Sequence, residues 1–377
     1  MQKKAVIFGA GQIGRGFLGQ VLFHSGYQLI FIDVSQKLVD LLNQYKEYQT
    51  IVVGAEEKSY SMTGIKAYLP TDPKAIEEIS EADLVVTAVG PSHLNSIAGI
   101  IFKGIALRCD KQSKNSLTVI ACENMEFGTS KLHGFIEPLL STQQIEYCNQ
   151  YVGFPDAEVS RMVMPLKDND NPLTVMVEQY MEWVVDRTKL KSDLGSIDGM
   201  ELTDNPNAYI KRKIYTLTGH AMLGYMGYLK KYEYVYQATY DEEIFNAVFK
   251  ALSECGEAWS LEFGESKKEF DKYVSIMLRR FADNRMKDSC VRVCRDPIRK
   301  LSIDERLIEP AIVALKHDIL PSGIITGIRS ALKFDYPEDE QAVELQHRIQ
   351  NDGLGKVLND ISGLSENSLL AMLIEHN

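Results

Sequence analysis

The chain has 377 residues, 45% of them hydrophobic, which is more than one ordinary domain needs and enough to fill two cores. Its 41 Lys and Arg against 52 Asp and Glu leave a formal net charge of −11, which argues against a nucleic-acid polyanion as partner because phosphate-backbone binding leaves a basic footprint. No apolar run approaches the roughly 20 residues of a membrane span. Six cysteines without Cys-x-x-Cys spacing, and no secretory leader before the first strand, lead us to expect free thiols in a cytoplasmic protein.

The first predicted element is a strand over residues 3–8, apolar throughout its second half and suited to burial on both faces of a parallel sheet. It runs into Gly9-Ala-Gly-Gln-Ile-Gly14, a glycine turn that opens a helix. Gly9 permits the turn, Gly11 lets the backbone approach a pyrophosphate, and Gly14 lets the helix pack on the strand; Phe8, Ala10, Gln12 and Ile13 complete the expected cofactor loop. Free N–H groups and the positive end of the helix dipole then face the phosphates. A second strand, residues 29–32, ends at Asp33, where a carboxylate bonds the adenosine ribose hydroxyls and repels a 2′-phosphate. The expected cofactor is therefore NAD.

Residues 48–53 and 59–67 read as an inserted hairpin. Strands follow at 84–88, 117–121 and around 151–154, alternating with helices in a doubly wound α/β pattern. The fourth strand carries Thr87, Val89 and Gly90 at its carboxyl end, the side on which such sheets bind ligands. We place a Rossmann domain with a mainly parallel sheet over residues 1–195 and a mostly α-helical substrate domain over 196–377.

Asn205 and Pro206 mark a helix start. Over the following 24 residues Ile210, Ile214, Leu217 and Ala221 form one stripe, expected to be core, and Tyr209, Lys213, Thr216 and His220 form a second, polar stripe that can line a cleft. Oxidation of an alcohol needs a base for the hydroxyl proton and donors for the oxygen. The histidines form no His-Glu-x-x-His or similar cluster, so no metal is expected; a lysine whose pKa is depressed by burial and neighbouring cations serves instead, and Lys213, beside Lys211 and Arg212, is the candidate.

Distributed along nearly the whole chain, the segments Phe8-Gly-Ala-Gly-Gln-Ile-Gly-Arg-Gly-Phe17, Thr87-Ala-Val-Gly-Pro91, Ala121-Cys-Glu-Asn-Met125, Val152-Gly-Phe154, Gly199-Met-Glu-Leu-Thr-Asp-Asn205, Arg212-Lys213 with Thr218-Gly-His-Ala221, and Pro297-Ile-Arg-Lys-Leu301 resemble the polyol-specific long-chain (mannitol) dehydrogenase family. The resemblance is greatest to its branch acting on mannitol 1-phosphate. It implies metal-independent interconversion of D-mannitol 1-phosphate and D-fructose 6-phosphate with NAD, with Lys213 as acid/base, His220 orienting the sugar, Asn124 near the nicotinamide, and Asp156 and Thr216 completing the catalytic set. The chain is shorter than relatives acting on free mannitol or hexuronates, which favours a sugar phosphate, and Arg292, Arg295, Arg299 and Lys300 form a basic run able to meet it.

Three departures stand out. The asparagine that relatives carry before Thr-Gly-His is missing, since Leu217 runs directly into Thr218; Thr216 is the candidate to take over part of its hydrogen bonding. Ser160 stands where an aspartate usually precedes Arg161, which leaves that arginine without its usual partner. The Asn-Pro usual in the second domain appears as Asp283-Asn284. A related polyol or hexuronate reductase and a non-catalytic NAD-binding sensor therefore remain open. One pocket per chain requires no partner subunit, so a monomer is expected.

Overall fold

In the computed structural model, which describes residues 2–54, 56–164, 166, 171–285, 287–365 and 367–375, the first apolar run becomes Lys4–Phe8 (β1), buried on both faces from Ala5 onward. The chain divides into two units, Met1–Pro206 and Asn207–Asn377. In the first, a helix (α1) follows the glycine turn, running as a wide π-type turn over Gly14–Gly19 and then as Gln20–His24. Next come Gln28–Ile32 (β2), Gln36–Tyr45 (α2), Glu47–Val53 (β3), Glu57–Thr63 (β4), Lys66–Tyr68 (β5), Pro73–Glu81 (α3), Leu84–Thr87 (β6), Leu94–Asp110 (α4), Leu117–Ala121 (β7), Gly128–Ile136 (α5), Thr142–Tyr151 (α6) and Val152–Gly153 (β8).

The main sheet has the order β5-β2-β1-β6-β7-β8, every pair parallel. Strand order reverses between β1 and β6, the switch point at which open α/β sheets bind ligands. Alternation along the strands divides their side chains between two cores, Ala5, Ile7, Leu29 and Phe31 on one face and Val6, Phe8, Ile30 and Ile32 on the other. This is the doubly wound Rossmann architecture expected from the pattern.

The inserted segment differs from the expected hairpin. Strand β4 ends at Thr63, Gly64 turns the chain at φ +71°, and Lys66–Tyr68 pairs with β2 as a strand of the parallel sheet. Three residues with one buried side chain, Ala67, give too little periodicity to separate this strand from its neighbour. The hairpin β3–β4 extends into a four-stranded sheet through Val163–Met164 (β10) and Val175–Glu178 (β11), while Ala157–Ser160 (β9), Glu182–Asp186 (β12) and Met200–Thr203 (β13) make a third, small sheet.

The second unit is helical: Pro206–Leu229 (α7), Val235–Thr239 (α8), Glu242–Phe263 (α9), Lys267–Phe281 (α10), Cys290–Cys294 (α11), Pro297–Lys300 (α12), Ile308–Lys316 (α13), Ser322–Leu332 (α14), Glu340–Asp352 (α15), Leu354–Ser362 (α16) and Leu369–Glu375 (α17). Helix α7 is its central element, and its burial corrects the expected core stripe. Ile210 and Ala221 are buried, but Ile214 and Leu217 are only half-buried; Ala208, Tyr215, Met222 and Tyr225 carry the core instead. A helix covered on most sides has no single apolar stripe, so periodicity located it correctly and oriented it wrongly. Among the described residues no helix is long and apolar enough to cross a membrane.

One buried carboxylate holds this unit together locally. Glu254 on α9 accepts from Gly323 N (2.9 Å), Ile324 N (3.1 Å) and Ser322 Oγ (3.1 Å), capping the first turn of α14, whose N–H groups have no acceptor in their own helix. Glu254→Ala strands those donors in the interior and is expected to cost about 2 kcal/mol or more, read as a lower midpoint in denaturant unfolding. An unchanged midpoint would mean that water replaces the carboxylate.

Candidate functional site

The glycine turn is built as its spacing implies. Gly9 sits at φ +90°, and a Cβ there would lie 2.4 Å from the Ala88 carbonyl oxygen at the end of β6; a Cβ on Gly14 would lie 1.8 Å from the Gly9 carbonyl oxygen. No side chain fits either position. A Cβ on Gly11 would meet no atom within 4 Å, so nothing in the protein itself demands a glycine there. Open space above a glycine, next to first-turn N–H groups with no intrahelical acceptor, fits a dinucleotide pyrophosphate. Gly9 N donates to Ile32 O (2.8 Å), and Ala10 N to Asp33 Oδ2 (2.7 Å). The other Asp33 oxygen accepts from Ser35 N (2.8 Å), which fixes the carboxylate while each oxygen keeps a second acceptor position. Phe8 is buried under this loop, and Gln12 and Ile13 lie in its first helical turn.

Two residues that sequence reasoning did not single out organise the same region. Arg15, 5% exposed, donates through Nη1 to Ala10 O and through Nε to Leu173 O (3.1 Å), bracing the glycine turn; burial lowers its pKa. Glu123, also 5% exposed, lies just beyond β7 and accepts from Thr87 Oγ1 (2.6 Å), Val89 N (2.9 Å) and Gly90 N (2.9 Å). It thus gathers all three expected residues of the β6 end, and its neighbour Asn124 is exposed. The only signal for Glu123 was its place in the Ala121–Met125 segment.

Asp156 is buried and accepts from Ser130 N (2.9 Å) and from Ser130 Oγ, tying the segment after β8 to the first turn of α5. Arg161 needs no carboxylate from position 160. Its guanidinium donates to Glu178 O (3.1 Å), Gly16 O (3.2 Å) and Gln20 Oε1 (2.5 Å), and burial, opposed by the charge of Glu178, brings its pKa down to about 10.

In the second unit Lys213, Thr216 and His220 lie on one side of α7, and the helix runs unbroken through Leu217 and Thr218. The Lys-Arg-Lys run is not a uniform solvated face. Lys211 pairs with Glu309 (2.9 Å), and Arg212 is buried between the rings of Tyr209 (4.6 Å) and Tyr273 (4.2 Å). Thr216 is 2% exposed, and its hydroxyl donates to Arg212 O (2.9 Å), leaving its oxygen only as an acceptor.

His220 is held on two sides. Its ring stacks on Phe281 at 4.5 Å, and Nε2 lies 3.1 Å from Asp288 Oδ2. Burial lowers the His220 pKa, against the opposing pull of Asp288, and the positive charges of Arg306 and Arg292 lower it further. A neutral ring facing a carboxylate carries its proton on Nε2, which leaves Nδ1 as an acceptor. Asp288 also accepts from Arg292 Nε (2.7 Å); burial raises its pKa, but His220 and Arg292 together bring it below the usual carboxylate value.

The basic run separates into different roles. Arg292 is committed to Asp288, and Arg299 pairs with Glu305 (2.6 Å). Lys300 is 5% exposed. Burial, then the charges of Arg299 and Arg306, push its pKa from 10.5 down to about 8, against the opposing pull of Asp296. Arg306 therefore bears on both Lys300 and His220. Among the described residues no group of three or more His, Cys, Asp or Glu side chains is gathered as a metal site.

Residues 3–199 match the mannitol dehydrogenase Rossmann domain, and residues 205–377 the mannitol dehydrogenase C-terminal domain. Among solved structures the chain is similar to a D-sorbitol dehydrogenase in substrate-free form (16% identity, TM-score 0.75, 96% of this chain and 95% of that one). It is also similar to Pseudomonas fluorescens mannitol 2-dehydrogenase in a ternary complex with NAD and D-mannitol (16% identity, TM-score 0.71, 100% of this chain and 91% of that one). At that identity the likeness is one of fold.

Proposed function

This chain belongs to the mannitol dehydrogenase family, and from that premise we propose that it is a metal-independent oxidoreductase interconverting D-mannitol 1-phosphate and D-fructose 6-phosphate with NAD. When bound, NAD would supply the hydride acceptor in oxidation, and NADH the hydride donor in reduction. The residues Phe8 to Gly14 would cradle its pyrophosphate, Asp33 would accept from the adenosine ribose, and Thr87, Val89, Gly90 and Asn124 would meet its nicotinamide half. Lys213 Nζ takes the hydroxyl proton in oxidation and returns it in reduction. His220, fixed by Asp288 and Phe281, presents Nδ1 to a sugar hydroxyl, and the Thr216 oxygen accepts beside it. Asp156 enters as a positioning group through its hold on Ser130.

The observation that carries the phosphate is Lys300. A buried ammonium on which two guanidinium charges outweigh one carboxylate is costly, and the cost is relieved when an anion arrives. A sugar phosphate supplies that anion, and Arg306 adds to the attraction. Free polyols and ketoses do not.

The test is a substrate panel with NADH. Fructose 6-phosphate is expected to be reduced with a kcat/KM about a hundredfold or more above that of fructose, the worth of one well-paired buried charge. Preference for fructose, tagaturonate or fructuronate would move the chain to a polyol or hexuronate branch. NADH binding without turnover on any of the four would leave a non-catalytic nucleotide-binding protein.

A further inference from the structure

The buried carboxylate at the carboxyl ends of β6 and β7 does more than fill space. Beyond Ala88, whose N–H still donates to Phe8 O (2.8 Å), the β6 backbone leaves the ladder, and its next N–H groups need acceptors elsewhere. Glu123 provides them. Its Oε1 accepts from Thr87 Oγ1 (2.6 Å) and Val89 N (2.9 Å), its Oε2 from Gly90 N (2.9 Å). Two successive N–H groups and a hydroxyl on one acidic side chain are the partners of an ionised carboxylate, which accepts and does not donate.

This clamp has a consequence on its other side. In a trans peptide the N–H and the preceding C=O point in opposite directions. With Val89 N–H and Gly90 N–H drawn towards Glu123, the carbonyls of Ala88 and Val89 face away from it. The Ala88 oxygen stands against Gly9, where it would be 2.4 Å from a Cβ. Gly90 reaches the required geometry at φ +92°, in the left-handed region that favours glycine. The clamped loop thus presents consecutive acceptors beside the nucleotide-binding turn, and a negative charge sits immediately behind it.

We propose that Glu123 is the positioning residue for the nicotinamide half of the cofactor, setting the peptide planes of the Thr87–Gly90 loop and supplying the charge that favours the cationic oxidised ring over the neutral reduced one. The inference rests on the reading of this turn as an NAD site. Two consequences separate from each other. Loop position acts on both cofactor forms alike, whereas charge acts on their ratio, because only the oxidised ring is positive.

The experiment is direct titration of the purified full-length chain with NAD and with NADH, comparing wild type, Glu123→Gln and Glu123→Asp, with thermal unfolding followed in parallel. Glu123→Gln removes the charge while keeping the size, and is expected to weaken NAD binding about tenfold more than NADH binding. Glu123→Asp keeps the charge but withdraws it by one methylene; both dissociation constants are expected to rise together, with their ratio as in wild type. Equal losses for both forms in Glu123→Gln, or a shifted ratio in Glu123→Asp, overturn the proposal. If Glu123→Gln does not fold, the Glu123→Asp dissociation constants decide, and values unchanged from wild type for both forms overturn the positioning role. Failure of the wild type to bind either form would instead overturn the NAD reading, and the inference with it.

Discussion

Lys213→Ala is expected to lower kcat by about 10³-fold, within the 10²–10⁴ range of a positioned acid/base, while leaving the dissociation constant for NADH within twofold of wild type. That corresponds to about 4 kcal/mol of lost transition-state stabilisation. The expectation rests on the family resemblance and on the place of Lys213 on α7. Lys211 is taken by Glu309 and Arg212 by two tyrosine rings, so each neighbour has a structural role. Lys213 shares its side of the helix with Thr216 and with a histidine fixed by Asp288 and Phe281. Lys213→Arg should not rescue activity, because a guanidinium stays protonated at any working pH and cannot take the hydroxyl proton. His220→Asn, which keeps a polar group but loses the fixed ring, is expected to fall less far and to raise KM as well. Steady-state kinetics on fructose 6-phosphate and on mannitol 1-phosphate, with NADH titration as control, measure all three. A Lys213→Ala enzyme within tenfold of wild-type kcat would remove this lysine from the chemistry.

The parts of the molecule that could be read from the sequence are those in which residue type answers to local backbone geometry. Gly9 and Gly14 are fixed by atoms within 3 Å of where a Cβ would stand, and the motif spacing encodes those contacts. Asp33 ends a strand at a distance set by one βα unit. The parallel strands of four or five residues were legible for the same reason, whereas Lys66–Tyr68 was too short to show its own period. What tertiary packing decides was not legible. The core of α7 passes through Tyr215 and Met222 rather than Leu217 because neighbours cover the helix on most sides. Arg161 looked orphaned beside Ser160, yet it bonds carbonyls and a glutamine brought from far along the chain. In the basic run, four cations looked interchangeable, and burial separates Lys300 from Arg292 and Arg299, which pair with carboxylates near the surface. Glu123 stood in a recognised segment, but its three donors come from a different strand end.

Lys300→Met should make the protein more stable at neutral pH and worse at recognising a phosphorylated sugar. The methionine keeps most of the stem's volume and removes a buried charge on which Arg299 and Arg306 outweigh Asp296. In the folded chain the amine has a pKa of about 8 rather than 10.5, so the fold disfavours the ammonium form. Below pH 8 both folded and unfolded chains hold the proton, and the folded state carries the whole penalty, on the order of 3 kcal/mol. Between pH 8 and 10.5 the unfolded chain binds more protons, so wild-type stability rises with pH and the penalty disappears. The stability advantage of Lys300→Met is therefore expected in full at pH 7 and to vanish near pH 10.5. A phosphate bound there would reverse the balance by giving the ammonium its counter-charge. Wild-type KM for fructose 6-phosphate should accordingly rise as pH climbs past 8, and Lys300→Met should lose that alkaline limb together with about a hundredfold of its preference for the phosphorylated sugar over fructose. Denaturant unfolding at the two pH values and kcat/KM on the two sugars check both halves. A variant that is less stable than wild type yet keeps its phosphate preference would show that Lys300 serves packing, and that the sugar phosphate is held elsewhere.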